Sequence, residues 1–241
     1  MHFSLCDLAA DIAQNCAESG ANFVELAVWE TDVPGSVDSP AVREFRFFTG
    51  DNGKGMAGAD LDRNLDPFVT DGVKHPGRKV GLGLPFLVQT AEGSGGGWVI
   101  SSAVNGGEKV LRQGGAVMQV LPAMASVDAA DTARPSFAGG SAHGTGVEAW
   151  FDLANVDTPP VGDIPGLFRS VLMLEGPGEI VIKRRREGGG VSGSTGSSDL
   201  DYEVKKSELV EALGGLEDVS SLVLLGKYLH SLEYESDEMS G

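Results

Sequence analysis

Basic residues are scarce in this chain: 18 lysines and arginines stand against 35 aspartates and glutamates in 241 residues, a formal net charge of −17. A nucleic-acid backbone would be repelled by that surplus, which argues against general nucleic-acid binding. Cysteine is scarcer still, with Cys6 and Cys16 alone. On one helix they would lie ~15 Å apart, beyond the ~7 Å that a disulfide spans between Cα atoms. Both therefore read as free, mostly buried thiols in a reducing compartment. Together with His2, His75, His143 and His230 they offer no metal-ligand spacing, which argues against zinc. No run of about 18 apolar residues occurs, so no membrane span is expected. The opening "MHFSLCDLAADIAQN" lacks the basic-then-apolar order of a secretory signal. A cytoplasmic protein is the expectation.

Glycine, in contrast, is abundant: 35 residues cluster in loops without a collagen period. The length suits one large domain, or a domain with an appendage. Ser4 with Asp7 fits a capping box and Phe3 with Leu8 its hydrophobic staple. Leu5, Leu8, Ala9, Ile12, Ala13 and Cys16 then recur at helical spacing, with Gly20 as the stop. "FVELAVW" and "REFRFFT" read as an antiparallel strand pair. A short helix is expected at 58–65 and another over "GLPFLVQTAEGSG", with Pro85 in its first turn. Strands follow near 97–103, 108–113 and 116–121, the last two joined by a Gly114-Gly115 hairpin turn. "TGVEAWFDL" supplies one more. Residues 122–143 read as a long surface loop.

The paired prolines of "NVDTPPVGD" predict a boundary near residue 157. Beyond it, Ile164, Leu167, Phe168, Val171 and Leu172 repeat at helical spacing. "GEIVIKRRR" and "DLDYEVKK" read as a strand pair, the basic run "IKRRR" being a strand end with solvated charges. "SELVEALG" and "VSSLVLLGKYLHSLEY" read as helices. The expected organisation is residues 1–156 as one domain and 157–241 as a small α/β extension.

Three local patterns carry chemistry. Asp11 and Asn15, four residues apart, share a helix face at one edge of the apolar stripe. In isolation such a pair is most often solvated surface. "FTGDNGKGM" sets Asp51 among Gly50, Gly53 and Gly55, which is ordinary Asx-turn chemistry as much as a held carboxylate. "GRKVGLGLPF" places glycine-spaced N–H groups at a helix start, where free donors and the helix dipole favour an anion. A Rossmann fingerprint fails there, because Phe86 stands where its third glycine belongs and no strand precedes. Neither glycine run makes a Walker A loop.

In order, spacing and context the three patterns resemble the N, G1 and G2 boxes of the GHKL ATPases, the superfamily of gyrase B, MutL, the ninety-kilodalton heat-shock chaperone and the histidine kinases. The match spans roughly residues 3 to 153. "DPFVT" resembles the segment that opens the ATP lid in the kinase branch. The resemblance implies an α+β, two-layer α/β sandwich of the Bergerat type, with a mixed, mostly antiparallel sheet and helices on one face. It implies ATP and Mg²⁺ as ligands. Asp51 would accept the adenine amino group, Gly53 and Gly55 would make room for the base, and Thr145 would assist. Gly81, Leu82, Gly83 and Leu84 would line the triphosphate, with Lys79 or Lys74 as lid contacts. Asn15 would supply one oxygen to Mg²⁺, and Asp11 would act as the catalytic base. The hydrolysing branches carry glutamate where this chain has Asp11, a shorter side chain that leaves hydrolysis open. The stretch 105–143 is longer than the kinase branch's short turn.

None of the four histidines sits in the phosphoacceptor setting of a sensor kinase, so autophosphorylation of the usual kind is not expected. The chain looks like the stand-alone histidine-kinase-like ATP-binding proteins of anaerobic bacteria. Two functions follow from the resemblance. One is an ATP-dependent enzyme passing its γ-phosphate to a separate protein, a phosphoacceptor in trans, or to water. The other is a nucleotide-responsive binding module whose lid, 69–80, presents a surface to a partner. A homodimer stays open under both.

Overall fold

The structure, a computed structural model, describes residues 4–33, 42–68, 83–116, 137–187 and 199–234. Its first helix, α1 (Leu5–Glu18), begins as the sequence predicts. Ser4 caps it, accepting the Asp7 N–H at 3.1 Å, while the Ser4 hydroxyl donates to Asp7 Oδ2 at 2.8 Å. The two next free donors, Leu5 N and Cys6 N, are taken by the carbonyls of Pro160 and Val161, both at 2.9 Å. The first-turn donors are thus satisfied by the proline-rich segment, so this helix end is closed to ligands. Phe3, the predicted staple partner, lies outside the described residues.

β1 (Phe23–Val33) and β2 (Val42–Asp51) pair antiparallel as expected. α2 (Gly58–Leu65) and α3 (Gly83–Gly93) follow, then β3 (Gly97–Ala103), β4 (Val110–Gly115) and β5 (Gly144–Asp152). α4 (Ile164–Leu172) leads to β6 (Glu179–Glu187), which pairs antiparallel with β7 (Leu200–Lys205). α5 (Lys206–Leu213) and α6 (Val219–Tyr234) complete the described chain. Among the described residues the sheet has seven strands in the order β4-β3-β5-β2-β1-β6-β7. β1 and β6 are, among the described strands, the one neighbouring pair that runs parallel, and α4 carries the chain from β5 across to β6. The expected class, α+β with a mixed and mostly antiparallel sheet, is what the structure shows. Strands after residue 157 extend the same sheet.

The strand period of two sends one set of side chains toward the helices. Val24, Leu26, Phe45, Phe47, Phe151 and Ile180 are among those that form one core with the apolar stripe of α1 and with Phe168 of α4. The other face carries charge. There Arg46 pairs with Glu148 and lies over the Trp29 ring at 5.1 Å, and Lys183 donates to Glu25 at 2.8 Å.

Two sequence expectations are corrected. Gly114-Gly115 is no hairpin turn: both residues lie within β4, opposite Trp98 and Gly97. The glycines serve close approach, because a Cβ at position 114 would meet the Trp98 indole at 2.9 Å and Glu92 Oε1 at 2.7 Å. The proposed strand 116–121 lies mostly outside the described residues. The "IKRRR" run is not simply solvated either. Arg184 points into the core face, fully buried, with Nη2 2.5 Å from Glu30 Oε1 and Nε 3.0 Å from Glu233 Oε1. Tyr202 Oη donates to the same Glu233 oxygen at 2.6 Å. This network fastens α6 to the sheet.

Candidate functional site

The helix-facing side of the sheet turns polar where three strands end together. Register sets Asp51 of β2 opposite Thr145 of β5, and Thr145 opposite Ser102 of β3. All three side chains are buried, Asp51 to 2% exposure. A row of acceptors and hydroxyls inside an apolar layer is costly unless satisfied, and here it is satisfied. Gly53 donates its N–H to Asp51 Oδ1 at 2.8 Å. Ser19 Oγ stands 3.2 Å from the same oxygen and 2.7 Å from the Cys16 carbonyl, its single proton shared between them. Burial pushes the Asp51 carboxyl above the usual carboxylate range, opposed by the Gly53 N–H, the Cys16 thiol, the Ser19 hydroxyl and the Thr145 N–H. The Cys16 thiol is itself held well above its ordinary value, first by burial and then by the Asp51 charge.

The loop after β2 is fastened at almost every residue. Asn52 Oδ1 accepts the N–H groups of Asn22 and Phe23, both at 2.9 Å. The Gly53 carbonyl meets His143 Nδ1 at 2.7 Å, which requires the proton on that nitrogen. Lys54 N–H reaches the Ser19 carbonyl at 3.3 Å, and Met56 N–H reaches Ser102 Oγ at 2.8 Å. Gly55 has φ +65°, and a Cβ there would drive into the Ala103 carbonyl. Glycine at this position is a steric requirement.

Beside this loop lies a cavity of about 430 Å³. Asp51, Gly55 and Thr145 form its floor and side, Asn15 and Ser19 reach it from α1, and Leu84 reaches it from α3. The start of α3 also meets α1 directly, since a Cβ on Gly83 would lie 3.1 Å from Asn15 Nδ2. Residues distant in sequence thus share one wall: an amide, a buried carboxylate and the first turn of a helix. Gly53 stands behind Asp51, and a Cβ there would collide with the Ser19 hydroxyl. Asp11 is exposed on the turn of α1 before Asn15 and is not among the lining residues. Lys79, Gly81 and Leu82, and Lys74 with them, lie outside the described residues.

Several residues at the cavity were not singled out by the sequence. Ser19 falls four residues after Asn15, so the Asp11-Asn15 face extended by one step would have reached it. Cys16, by its spacing a buried thiol, also lines the cavity. Met56 and Asn64 carry no local signal; the loop's path and α2 bring them in, and register sets Ser102 behind Thr145.

Chemically, the arrangement offers a hydrogen-bond acceptor deep in a mostly apolar slot, with an amide and a helix start at its mouth. That suits a flat, amine-bearing heterocycle within and an anion outside. No protein-family model matches the chain, and no curated protein matches it. Among solved structures it is similar to the Aquifex aeolicus MutL ATPase domain complexed with ADP. The identity is 14% over 78% of this chain and 62% of that chain, with a TM-score of 0.40. The chain therefore spans less than two thirds of that structure's length, and a likeness of this extent assigns neither family nor activity.

Proposed function

We propose that the cavity binds Mg-ATP, with the adenine against Asp51 and the triphosphate toward Asn15 and the start of α3. The observation that carries this reading is the meeting of Asn15, Asp51, Thr145 and Leu84 around one space of about 430 Å³. That volume lies within the ~300–1,000 Å³ typical of small-ligand sites. Asp51 accepts the exocyclic amine, and Gly53 and Gly55 let the base approach the backbone. Gly83 and Leu84 offer the helix end to phosphate, and the resemblance of the sequence patterns gives Gly81, Leu82 and Lys79 the same task. The resemblance of the three sequence patterns to the GHKL boxes supports the same orientation.

Magnesium fits this donor set. Asn15 is exposed at the mouth beside Gly83, where its amide oxygen would supply one hard ligand. Mg²⁺ habitually takes its remaining ligands from phosphate and water. In the enzymatic reading Asp11 accepts a proton from a protein hydroxyl or water as that oxygen attacks the γ-phosphorus and ADP departs. Where the attacking oxygen is a protein hydroxyl, the protein that carries it is the phosphoacceptor in trans.

One observation favours the second reading, a nucleotide-responsive binding module: Asp11 does not line the cavity. Incubation with γ-labelled ATP and Mg²⁺, with and without candidate partners, separates the two. The enzyme releases or transfers label, and Asp11→Asn abolishes this while retaining nucleotide affinity. A wild type that binds ATP and never moves the label is the binding module.

A further inference from the structure

Ser102 is fully buried beneath the cavity floor and makes three hydrogen bonds. It lies 3.0 Å from the Gly144 carbonyl, 2.8 Å from the Met56 N–H and 2.9 Å from Thr145 Oγ1. A carbonyl only accepts and an N–H only donates. The single Ser102 proton therefore goes to Gly144, and Met56 fills one of the two acceptor positions. The second is left for Thr145, which must donate. The Thr145 proton thus points down into the protein, away from the cavity that Thr145 lines.

We infer that Ser102 is a positioning residue that locks Thr145 as an acceptor toward the cavity, making the floor select a 6-amino purine over a 6-oxo purine. This rests on the nucleotide reading above and deepens it. Asp51 and Thr145 line the cavity from paired positions of adjacent strands, and with Thr145 so oriented its hydroxyl keeps no proton for a ligand. A group presented between Asp51 and Thr145 meets a carboxylate whose nearest donors are already engaged with it and a hydroxyl whose proton Ser102 takes. The C6 amine of adenine brings two protons to that surface, whereas the C6 carbonyl of hypoxanthine or guanine brings a third acceptor and no proton. Removing the Ser102 hydroxyl releases the Thr145 proton, which can then turn into the cavity and donate to a carbonyl.

The test is the ratio of affinities for ATP and inosine triphosphate, which replaces the C6 amine with a carbonyl, measured by calorimetry on the whole chain. Wild type prefers ATP. Ser102→Ala narrows the ratio by about fivefold, the worth of one neutral hydrogen bond, chiefly through gained inosine triphosphate affinity. Thr145→Ser, which keeps a hydroxyl at the same place, holds the wild-type ratio. If Ser102→Ala weakens both ligands in parallel and leaves the ratio unchanged, Ser102 only supports the loop and the inference fails. Should Ser102→Ala not fold, Thr145→Val removes the same acceptor, and an unchanged ratio there is equally fatal. A wild type that takes up neither nucleotide overturns the nucleotide reading, and this inference falls with it.

Discussion

Gly53 donates its backbone N–H to Asp51 Oδ1 across 2.8 Å, so one carboxylate both closes the turn after β2 and lines the cavity. A turn aspartate ordinarily rests in water. This one is 2% exposed, and burial pushes its carboxyl above the usual carboxylate range against the hydrogen bonds it accepts. The local turn and the candidate site are therefore one feature, and the cost of the buried charge has a measurable signature.

That signature has a definite sign. The folded state raises the Asp51 pKa, so stability from this group is full below the unfolded carboxylate range and is lost as pH rises through the raised folded value. Asp51→Asn keeps an oxygen for the Gly53 N–H and removes the buried charge. The ligand-free variant is expected to resist denaturant better than wild type at pH 7.5, with the difference closing as pH falls toward 4. A variant less stable than wild type at pH 7.5 would show that the ionised carboxylate holds the fold together.

Gly55 tests the loop from the steric side. Alanine there needs both a positive φ and space that the Ala103 carbonyl occupies. Gly55→Ala is expected to lose more than about 1 kcal/mol in urea unfolding and to weaken nucleotide. Stability within error of wild type would mean the loop relaxes freely.

Arg184 tests the far end of the sheet. Its replacement by methionine leaves Glu233 buried without its cation, and half-buried Glu30 with Arg43 at 3.9 Å, a cost of about 3–5 kcal/mol. Arg185, half-buried and paired with Glu187 at 2.7 Å, belongs to the surface class. Arg185→Met is expected to change stability by less than about 1 kcal/mol. Similar losses in the two variants would remove the network from the account of how α6 is held.

The difference between these neighbours explains what the sequence could and could not tell. Periodicity placed α1 and α4, because apolar residues at helical spacing have one stable use against a sheet. Gly20 and Ser4 marked the ends of α1 through backbone chemistry that acts within a few residues. Arg184 and Arg185 look alike in a basic run; only the parallel pairing of β6 with β1 decides which faces the core. Gly114-Gly115 has the composition of a turn, yet the bulk of the Trp98 indole across the ladder sets its use. The same division holds at the site. Asp51, Gly55 and Asn15 were legible through the order and spacing of three patterns that are each ordinary alone, whereas Ser102 enters through register alone.

The thiols give an independent check on the packing. Burial pushes Cys6 up to about 12 and Cys16 well above its ordinary value. Thiolate is the reactive form. At pH 8 both are expected to react with an aromatic disulfide reagent far more slowly in the native protein than in denaturant, where both titrate at once. Rapid native labelling of Cys16 would open the wall that Asp51 depends on.

The central claim is that the carboxylate of Asp51 reads an adenine in the cavity beside α1. Calorimetric titration of ATP with Mg²⁺ into wild type, Asp51→Asn and the exposed control Asp201→Asn tests it most directly. Saturable uptake by wild type and the control, with a loss of about tenfold or more in Asp51→Asn (one charge-assisted hydrogen bond), is the predicted result. No uptake by wild type, or equal affinities in all three proteins, would contradict it.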